Sequence, residues 1–250
     1  MKLHKFSKLA GFLSIAIIGS SLLTIGCSKE LEQCKVNYSK YNYSEAFKFC
    51  SVAAEQGHAE AQFNLGVMYD NGQGVKQDYF KAVEWYQKAA EQGDASAQCN
   101  LGYMYAEGQG VKQDYFKAVE WYQKAAEQGD AIAQCNLGYM YAEGKGVKQD
   151  YAKAVEWYQK AAEQGEAKAQ YSLGWMYAEG KGVKQDYAKA VELYQKAAEQ
   201  GQSDAQYNLG IMYYDGEGVR QNYTKAKEYF GLACDNKYQD GCDMYKMLNQ

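Results

Sequence analysis

Side chains that commonly perform catalysis are scarce in this chain and are not grouped in a recognised catalytic spacing. Its two histidines are His4 and His58, whereas a Ser-His-Asp mechanism needs a histidine base beside a nucleophilic serine. The G-x-S-x-G turn of α/β-hydrolases and the S-x-x-K of serine β-lactamases are both missing. So are the H-E-x-x-H, C-x2-C and EF-hand patterns that bind metals. The sequence therefore predicts no catalytic residue, no metal and no cofactor, and we interpret His58 as structural.

A glycine-rich loop is the most regular feature that could bind a phosphate group. It reads Gly-x-Gly-Val, first at Gly72 to Val75, and it recurs along the chain. Phosphate-binding loops of this kind follow a strand and use a third glycine. Here the loop follows a predicted helix, and Gln77 stands where the third glycine is needed. We interpret these glycines as turn residues, because glycine accepts the positive φ that ends a helix.

These loops belong to a repeat of 36 residues. The phrase A-Q-x-N-L-G-x-M-Y begins, with small variations, at Ala61, Ala97, Ala133, Ala169 and Ala205. A second phrase, D-Y-x-K-A-V-E-W-Y-x-K-A-A-E-Q-G with small variations, ends at Gly93, Gly129, Gly165 and Gly201. A fixed period of this length is typical of stacked helical repeats and not of a globular enzyme with one pocket. The chain also has no proline, a residue that costs roughly 3 kcal/mol inside a helix.

Each repeat is predicted to form two antiparallel helices, called helix A and helix B in chain order. In the first repeat, one face of helix A, from about residue 59 to 70, carries the expected core residues Ala61, Leu65, Met68 and Tyr69. Gly66 weakens a helix unless packing requires it, so it predicts a close approach of helix B. Asp78 is placed to cap the start of helix B, and Gly93 to end it.

The repeat divides the chain into segments. We assign residues 1–26 to a signal peptide, 27–57 to a lipidated N-terminus with a degenerate helix pair, and 238–250 to a C-terminal capping helix. The five repeats between them are 58–93, 94–129, 130–165, 166–201 and 202–237. Atypical ends are expected, because the terminal repeats of a solenoid must cover its last apolar faces.

The N-terminus has the pattern of an export signal. Basic residues precede an apolar stretch at 9–25, and Leu23 to Cys27 resembles a bacterial lipobox. The resemblance implies cleavage before Cys27 and lipid attachment to its thiol, which would anchor the protein to a membrane. Ser28 in the next position implies sorting to the outer membrane. The net charge of −4 argues against nucleic acid as a partner.

The repeated phrases carry a family resemblance. A-x-A-Q-x-x-L-G-x-M-Y, G-x-G-V and D-Y-x-K-A-V-E-W-Y-x-K-A-A-E-Q-G together resemble the Sel1-like repeat, a relative of the tetratricopeptide repeat. The resemblance implies an all-α fold, a right-handed α-solenoid of helix-turn-helix repeats, used as a protein-interaction scaffold and often exported in bacteria. Lys76 departs from the family, which often has proline there. The C-x7-C spacing of Cys234 and Cys242 resembles the cysteine-rich branch of these proteins, which implies a disulfide.

The remaining cysteines fall into two groups. Cys34 and Cys50 lie on the two helices of the degenerate pair at comparable distances from its turn, so a second disulfide is expected there. Cys99 and Cys135 share one repeat position. Adjacent helices lie roughly 10 Å apart, whereas a disulfide needs Cα atoms within about 7 Å. We predict that these two remain thiols, as small groove residues and not as redox sensors.

By analogy with tetratricopeptide stacks, the inner face of the helix A row is the candidate partner-binding groove. Its predicted aromatic and apolar residues are Phe63, Val67, Tyr103, Tyr139, Tyr171, Trp175 and Tyr207. Aromatic side chains bury a large area at a low entropic cost, which suits peptide recognition. Asparagines that could bond an extended partner backbone are Asn64, Asn100, Asn136 and Asn208. Alternatively, these aromatic residues only pack neighbouring repeats. On helix B, Lys81, Glu84 and Lys88 suggest a solvated face.

The sequence thus predicts a lipoprotein of the outer membrane, facing the periplasm, that binds a protein or peptide partner of the cell envelope. No enzymatic activity is expected. Two alternatives stay open. Relatives in the cysteine-rich branch have been described as β-lactam-binding or β-lactam-hydrolysing, a likeness that rests on fold and the C-x7-C pair. A surface-displayed factor that meets host proteins is the other.

Overall fold

The computed structural model describes residues 29–249, which form an all-helical solenoid of paired helices. Helix α1 spans residues 29–39. The next helices in the chain are α2 (Tyr43–Glu55), α3 (Ala59–Asn71), α4 (Tyr79–Glu91), α5 (Ala95–Glu107), α6 (Tyr115–Glu127), α7 (Ala131–Glu143), α8 (Tyr151–Glu163), α9 (Ala167–Glu179), α10 (Tyr187–Glu199), α11 (Ser203–Asp215), α12 (Tyr223–Asp235) and α13 (Gln239–Met247). The predicted all-α class is confirmed. The signal peptide and Cys27 lie outside the described residues.

The helices group into two compact units, one ending at Gln113 and one starting at Asp114. In the first unit, α2 packs on α3, α3 on α4 and α4 on α5. In the second, each helix from α6 to α12 packs on the next in the same way. Helices α3, α5, α7, α9 and α11 are the A helices of the five repeats, and each is followed by its helix B. Within residues 29–249, no helix is both long enough and apolar enough to cross a membrane.

Helix ends form where the sequence places capping residues. The carboxylate of Asp150 accepts a hydrogen bond from the backbone N–H of Lys153 at 3.0 Å and so caps α8. Gly144 ends α7 in the left-handed conformation, with φ at 67°. An N-cap of this type contributes about 1 kcal/mol to helix stability. The asparagine or aspartate that precedes each helix B from α4 to α12 has the same role.

A glycine inside helix A sets the distance between the two helices of a repeat. A Cβ atom at Gly138 would lie 2.8 Å from Cδ1 of Tyr158, whose side chain is almost fully buried. The same contact joins Gly66 to Tyr86, Gly174 to Tyr194 and Gly210 to Phe230. The predicted close approach of helix B is therefore confirmed, and its partner is a buried aromatic ring.

The core is built from the predicted alanine, leucine and methionine positions of helix A, with one difference. Ala61, Leu65 and Met68 are buried, but Tyr69 is only half-buried. Its ring lies at the edge of the core, with the ammonium group of Lys81 5.2 Å from the ring centroid. The tyrosine therefore closes the core on one side and binds a surface cation on the other.

A buried glutamine links successive repeats, and sequence reasoning assigned it no role. Gln134 is 5% exposed. Its Nε2 donates to the carbonyl of Ala126 at 3.1 Å, and its Oε1 accepts from Nε2 of Gln164 at 2.8 Å. Because both ends of the amide are bonded, its burial carries no large desolvation penalty. The Gln134 side chain thereby forms hydrogen bonds at the C-terminal ends of both α6 and α8.

Two disulfides close the terminal helix pairs. One joins Cys34 on α1 to Cys50 on α2, with Cα atoms 4.7 Å apart. The other joins Cys234 on α12 to Cys242 on α13, with a Cα separation of 4.5 Å. Both expected pairs are present. Loop-closure entropy suggests a stabilisation of roughly 2–3 kcal/mol for each, which holds the ends of the stack in place.

Alkaline pH is expected to destabilise the fold. Burial raises the pKa of the Tyr158 and Tyr194 hydroxyls well above the ordinary value of about 10. A folded-state pKa above the unfolded value means that this stability is fully present below about pH 10 and is lost as the pH rises beyond it. Urea unfolding followed by circular dichroism should give similar midpoints at pH 7 and 9, and a falling midpoint above pH 10. Equal midpoints at pH 8 and 11 would contradict this.

Candidate functional site

In the first unit, only part of the predicted groove reaches the surface. Tyr103 is 47% exposed, whereas Phe63 is half-buried with its ring centroid 6.0 Å from that of Tyr86. Asn64 is buried, and its Nδ2 lies 3.9 Å from Sγ of Cys34. The side chain of Asn64 is therefore turned into the core, away from any partner, because it packs against the disulfide. Val67 and Asn100 are half-buried.

In the second unit, the predicted groove residues line two adjoining cavities. The first, called the α7–α9 cavity, has a volume of about 230 Å³ and is lined by Tyr139, Ala142, Glu143, Tyr158, Tyr171, Ser172, Trp175 and Met176. The second, the α9–α11 cavity, has a volume of about 350 Å³. Its lining is Tyr171, Trp175, Ala178, Glu179, Tyr187, Tyr194, Asn208, Ile211, Met212 and Glu217. Tyr171 and Trp175, one helical turn apart, form the wall shared by both cavities.

The shared wall is supported from behind by helix B. The ring centroid of Tyr171 lies 5.7 Å from that of Tyr194, which is 2% exposed. Asn208 hydrogen-bonds to the Tyr194 hydroxyl and opposes the rise of its pKa, and Ser172 does the same for Tyr158. These polar groups therefore bond partly to the chain itself, although an asparagine amide has further donor and acceptor capacity. Support of this kind pre-orients the aromatic surface.

Of the remaining predicted groove residues of the second unit, Tyr139 lines the α7–α9 cavity, whereas Asn136 and Tyr207 line neither cavity. Tyr139 is 45% exposed, and Asn136 is half-buried on the same helix. Tyr207 is half-buried between the rings of Phe230 and Tyr238, at centroid distances of 5.6 and 5.0 Å. Tyr207 thus packs against helix B of its own repeat and against Tyr238 of the C-terminal cap, whereas Tyr139 offers its ring to solvent.

Charged residues at the cavity edges were missed by the sequence analysis. Nζ of Lys145 donates to the hydroxyl of Tyr139 at 2.7 Å, a bond that raises the lysine pKa and keeps it protonated. Nζ of Lys181 lies 4.5 Å from the Trp175 ring centroid. Two exposed carboxylates, Glu179 and Glu217, line the α9–α11 cavity.

A comparison of the repeats among themselves identifies these edge residues. The loop residue between the two glycines is Gln73, Gln109, Lys145, Lys181 and Glu217 in the five repeats. The glycines and the following valine do not change. By contrast, the first three repeats share the same E-W-Y-Q-K-A-A-E-Q-G on helix B. Among the first three repeats, variation is therefore concentrated on helix A and its loop, where a binding surface would differ from one repeat to the next, whereas in the fifth repeat helix B changes as well.

The face of helix B is solvated, as predicted, and also contains regular cation–π pairs. Lys81, Glu84 and Lys88 are exposed. Nζ of Lys88 lies 3.8 Å from the Trp85 ring centroid, and the pair recurs at Lys160 and Trp157 with a distance of 4.0 Å. These lysines cover the tryptophans, so this face presents charge instead of open aromatic surface.

The thiols at the shared groove position are buried, and the pKa of one of them is strongly raised. Both Cys99 and Cys135 are buried thiols. Burial raises the pKa of Cys135 to about 12, and the carboxylate of Glu166 adds to the rise. At pH 8 the reactive thiolate is therefore on the order of a thousandfold less populated than for an ordinary cysteine.

We expect Cys135 to resist alkylation in the folded protein at pH 8 and to react readily after unfolding in guanidinium chloride. Iodoacetamide labelling followed by peptide mass spectrometry measures this for Cys135 by itself. The same peptide from the unfolded chain is the control. Equal labelling rates in the two states would revive a redox role for this position.

His58 is the one histidine among residues 29–249. It begins α3 without a capping hydrogen bond, whereas Asp94 at the equivalent position accepts from the backbone N–H of Ala97 at 2.8 Å. In the described part of the chain, no three His, Cys, Asp or Glu residues are grouped to hold a metal ion. The two cavities of the second unit lack histidine altogether. Their chemistry is that of aromatic surface bordered by carboxylates and ammonium groups.

Comparison with known proteins matches this architecture. The Sel1 repeat model matches residues 37–58, 59–94, 95–130, 131–166, 167–202 and 203–238. Among solved structures, a Sel1 repeat protein from Oxalobacter formigenes is 34% identical, with a TM-score of 0.83 and 88% of each chain covered. No curated protein matches the chain.

Two further solved structures are similar. A protective antigen of uropathogenic Escherichia coli strains is 42% identical over 82% of this chain, with a TM-score of 0.77. This chain spans 46% of that antigen's length. An immunity protein from Pseudomonas aeruginosa is 25% identical, with a TM-score of 0.54 and 82% and 83% of the two chains covered. With consecutive matches from residue 37 to 238, the chain belongs to the Sel1 repeat family.

Proposed function

We propose that this protein is a non-enzymatic scaffold of the bacterial cell envelope that binds a protein or peptide through the helix A groove. The observation that carries the proposal is the shared wall of Tyr171 and Trp175. It places aromatic surface in two adjoining cavities, and the Tyr171 ring packs against the buried ring of Tyr194 behind it. Tryptophan and tyrosine are among the residues that dominate binding energy in protein interfaces.

Export and membrane anchoring are part of the proposal. Two disulfides suit an oxidising compartment such as the periplasm. Lipid attachment at Cys27 would hold the protein at the outer membrane, facing the periplasm. The likeness to a protective antigen supports an exported protein and favours, as a variant, display on the cell surface. Protease treatment of intact cells separates the two orientations, because only a surface-displayed chain is cut.

Site-specific photo-crosslinking in the native envelope tests the groove directly. A photoreactive amino acid replaces Tyr139 or Ile211 in the groove, or the exposed Glu156 on helix B as a matched control. The proposal expects one crosslinked partner, identified by mass spectrometry, from the groove positions and none from position 156. Crosslinking from position 156 alone would place the binding surface on helix B and end the proposal.

The β-lactam alternative has a simple test. Its basis is the resemblance of the C-x7-C pair and the fold. Among residues 29–249 the histidine is His58, which lines neither cavity. We expect the purified mature protein to hydrolyse nitrocefin no faster than buffer does. A preparation with Cys234 and Cys242 both replaced by serine controls for contaminating enzyme. Turnover above background that follows the intact protein would contradict the scaffold assignment.

A further inference from the structure

The third and fourth repeats each hold an ammonium group between two aromatic rings. Nζ of Lys145 lies 4.8 Å from the Tyr139 ring centroid and 5.6 Å from that of Tyr115. Nζ of Lys181 lies 4.5 Å from the Trp175 centroid and 5.4 Å from that of Tyr151. In both repeats one ring comes from helix A and the other from the start of the preceding helix B. The fold therefore creates a cation position at this point of the repeat.

The fifth repeat reverses the charge at this position. Glu217 replaces the lysine, and Tyr187 is the ring that corresponds to Tyr115 and Tyr151. Both line the α9–α11 cavity, together with the carboxylate-bearing Glu179 and the rings of Tyr171 and Trp175. Within the second unit, the residues that line this cavity include neither lysine nor arginine. Aromatic rings and two carboxylates thus line a space whose lining residues supply no cation, and the ammonium group of Lys181 lies 4.5 Å from the ring centroid of Trp175, in the wall shared with the α7–α9 cavity.

We propose that the α9–α11 cavity binds a lysine or arginine side chain from a basic segment of the partner protein. This inference rests on the proposed function and names the partner's chemistry. A cation is attracted both by the carboxylates of Glu179 and Glu217 and by the aromatic faces. Arginine fits better than lysine, because its planar guanidinium stacks on rings while its N–H groups reach carboxylate and amide oxygens, including that of Asn208.

The occupant is a protein segment and not a small amine, because the cavity does not stand alone. It shares Tyr171 and Trp175 with the α7–α9 cavity, so the residues next to the basic side chain have a second aromatic site to occupy. A small quaternary amine would fill one cavity only. The net charge of the chain, −4, also favours the approach of a basic partner.

Two reciprocal charge swaps test the proposal in the full chain. Glu217→Lys installs the residue that the third and fourth repeats carry, so the fold has a precedent for it. Lys181→Glu removes the internal cation and should create a second site in the α7–α9 cavity. The probes are N-acetyl-arginine methylamide, its neutral citrulline analogue and tetramethylammonium. Fluorotryptophan labelling of the four tryptophans, with Trp175→Phe for assignment, reports binding by fluorine NMR.

The arginine probe should shift the Trp175 signal saturably, with a Kd on the order of 1 mM, as expected for so small a ligand. Citrulline should bind at least tenfold more weakly. Glu217→Lys should weaken arginine binding at least tenfold, and Lys181→Glu should raise the number of bound probes from one to two. Circular dichroism verifies that each variant is folded. Glu217→Gln provides a second measurement, because it should weaken arginine binding by less than Glu217→Lys does.

Three results would overturn the inference. They are equal binding of arginine and citrulline, unchanged arginine affinity in Glu217→Lys, and tighter binding of tetramethylammonium than of arginine. Photo-crosslinking from the groove decides the proposed function separately. If a partner is crosslinked from position 139 while any of these three results is obtained, the proposed scaffold function stands and only the inference of a basic segment fails. If the arginine probe binds but no groove position crosslinks a partner, the cavity's affinity for arginine stands and the proposed function fails.

Discussion

Replacing Tyr139 and Trp175 together with alanine is expected to reduce partner capture by a factor on the order of a thousand. Central aromatic residues of an interface commonly contribute about 2 kcal/mol or more each when truncated, and these two line adjacent parts of the same surface. Stability should change little by comparison, because Tyr139 is 45% exposed and Trp175 is half-buried at the edge of its cavity. Pull-down of the partner identified by crosslinking measures capture, and thermal melts of the wild-type and variant proteins measure stability.

The matched control removes aromatic surface from helix B. Trp157→Ala combined with Lys160→Ala deletes a cation–π pair outside the two cavities. This variant should capture the partner as well as the wild type does. If the Tyr139 and Trp175 variant also captures the partner normally, the binding surface is not the helix A groove.

Gly146→Ala is expected to destabilise the protein by about 4–5 kcal/mol, a large effect for a single methyl group. Gly146 has φ at +69°, where an alanine is strained by about 1–2 kcal/mol. An added Cβ would also overlap the carbonyl of Tyr115 and lie 2.9 Å from the backbone nitrogen of Phe116. Because both obstacles are backbone atoms, the start of α6 must move and its packing is lost. Urea unfolding measures the change.

Gly144→Ala is the control for backbone strain alone. Gly144 has nearly the same φ, +67°, but the nearest atom to its Cβ would be Cβ of Gln149, at 3.2 Å. We expect this variant to lose only about 1–2 kcal/mol, the cost of the left-handed conformation. Similar losses in the two variants would show that the contact between Gly146 and α6 contributes nothing, and that the second glycine of the loop is only a turn residue.

Local features of the fold could be predicted from the sequence because their causes lie within one repeat. The 36-residue period, the N-cap at Asp150, the left-handed glycine at Gly144 and the close contact at Gly138 all follow from residue type and short-range spacing. Two disulfide pairs were also expected correctly. Helical hairpins form mainly through contacts between residues near in sequence, so the pattern of one repeat is enough to predict them.

Other features could not be predicted because they depend on residues about one repeat away. Gln134 is buried only because Ala126 and Gln164 bond both ends of its amide. Asn64 faces inward because the degenerate first pair places a disulfide beside it. The second glycine of each loop was interpreted as a turn residue, and its contact with the preceding helix B was missed. The edge residues Lys181 and Glu217 looked like ordinary loop residues.

The sequence by itself determined that this protein is a stack of helical hairpins, and it predicts a groove along the helix A row. The tertiary structure decided which of the predicted groove positions line cavities. Equivalent residues such as Cys135 and Tyr171 occupy the same place in their repeats, yet one is a buried thiol and the other forms a cavity wall. The physical reason is that the exposure, charge and contacts of each side chain are set jointly by neighbouring repeats. The repeats have the same core positions but differ at their surface.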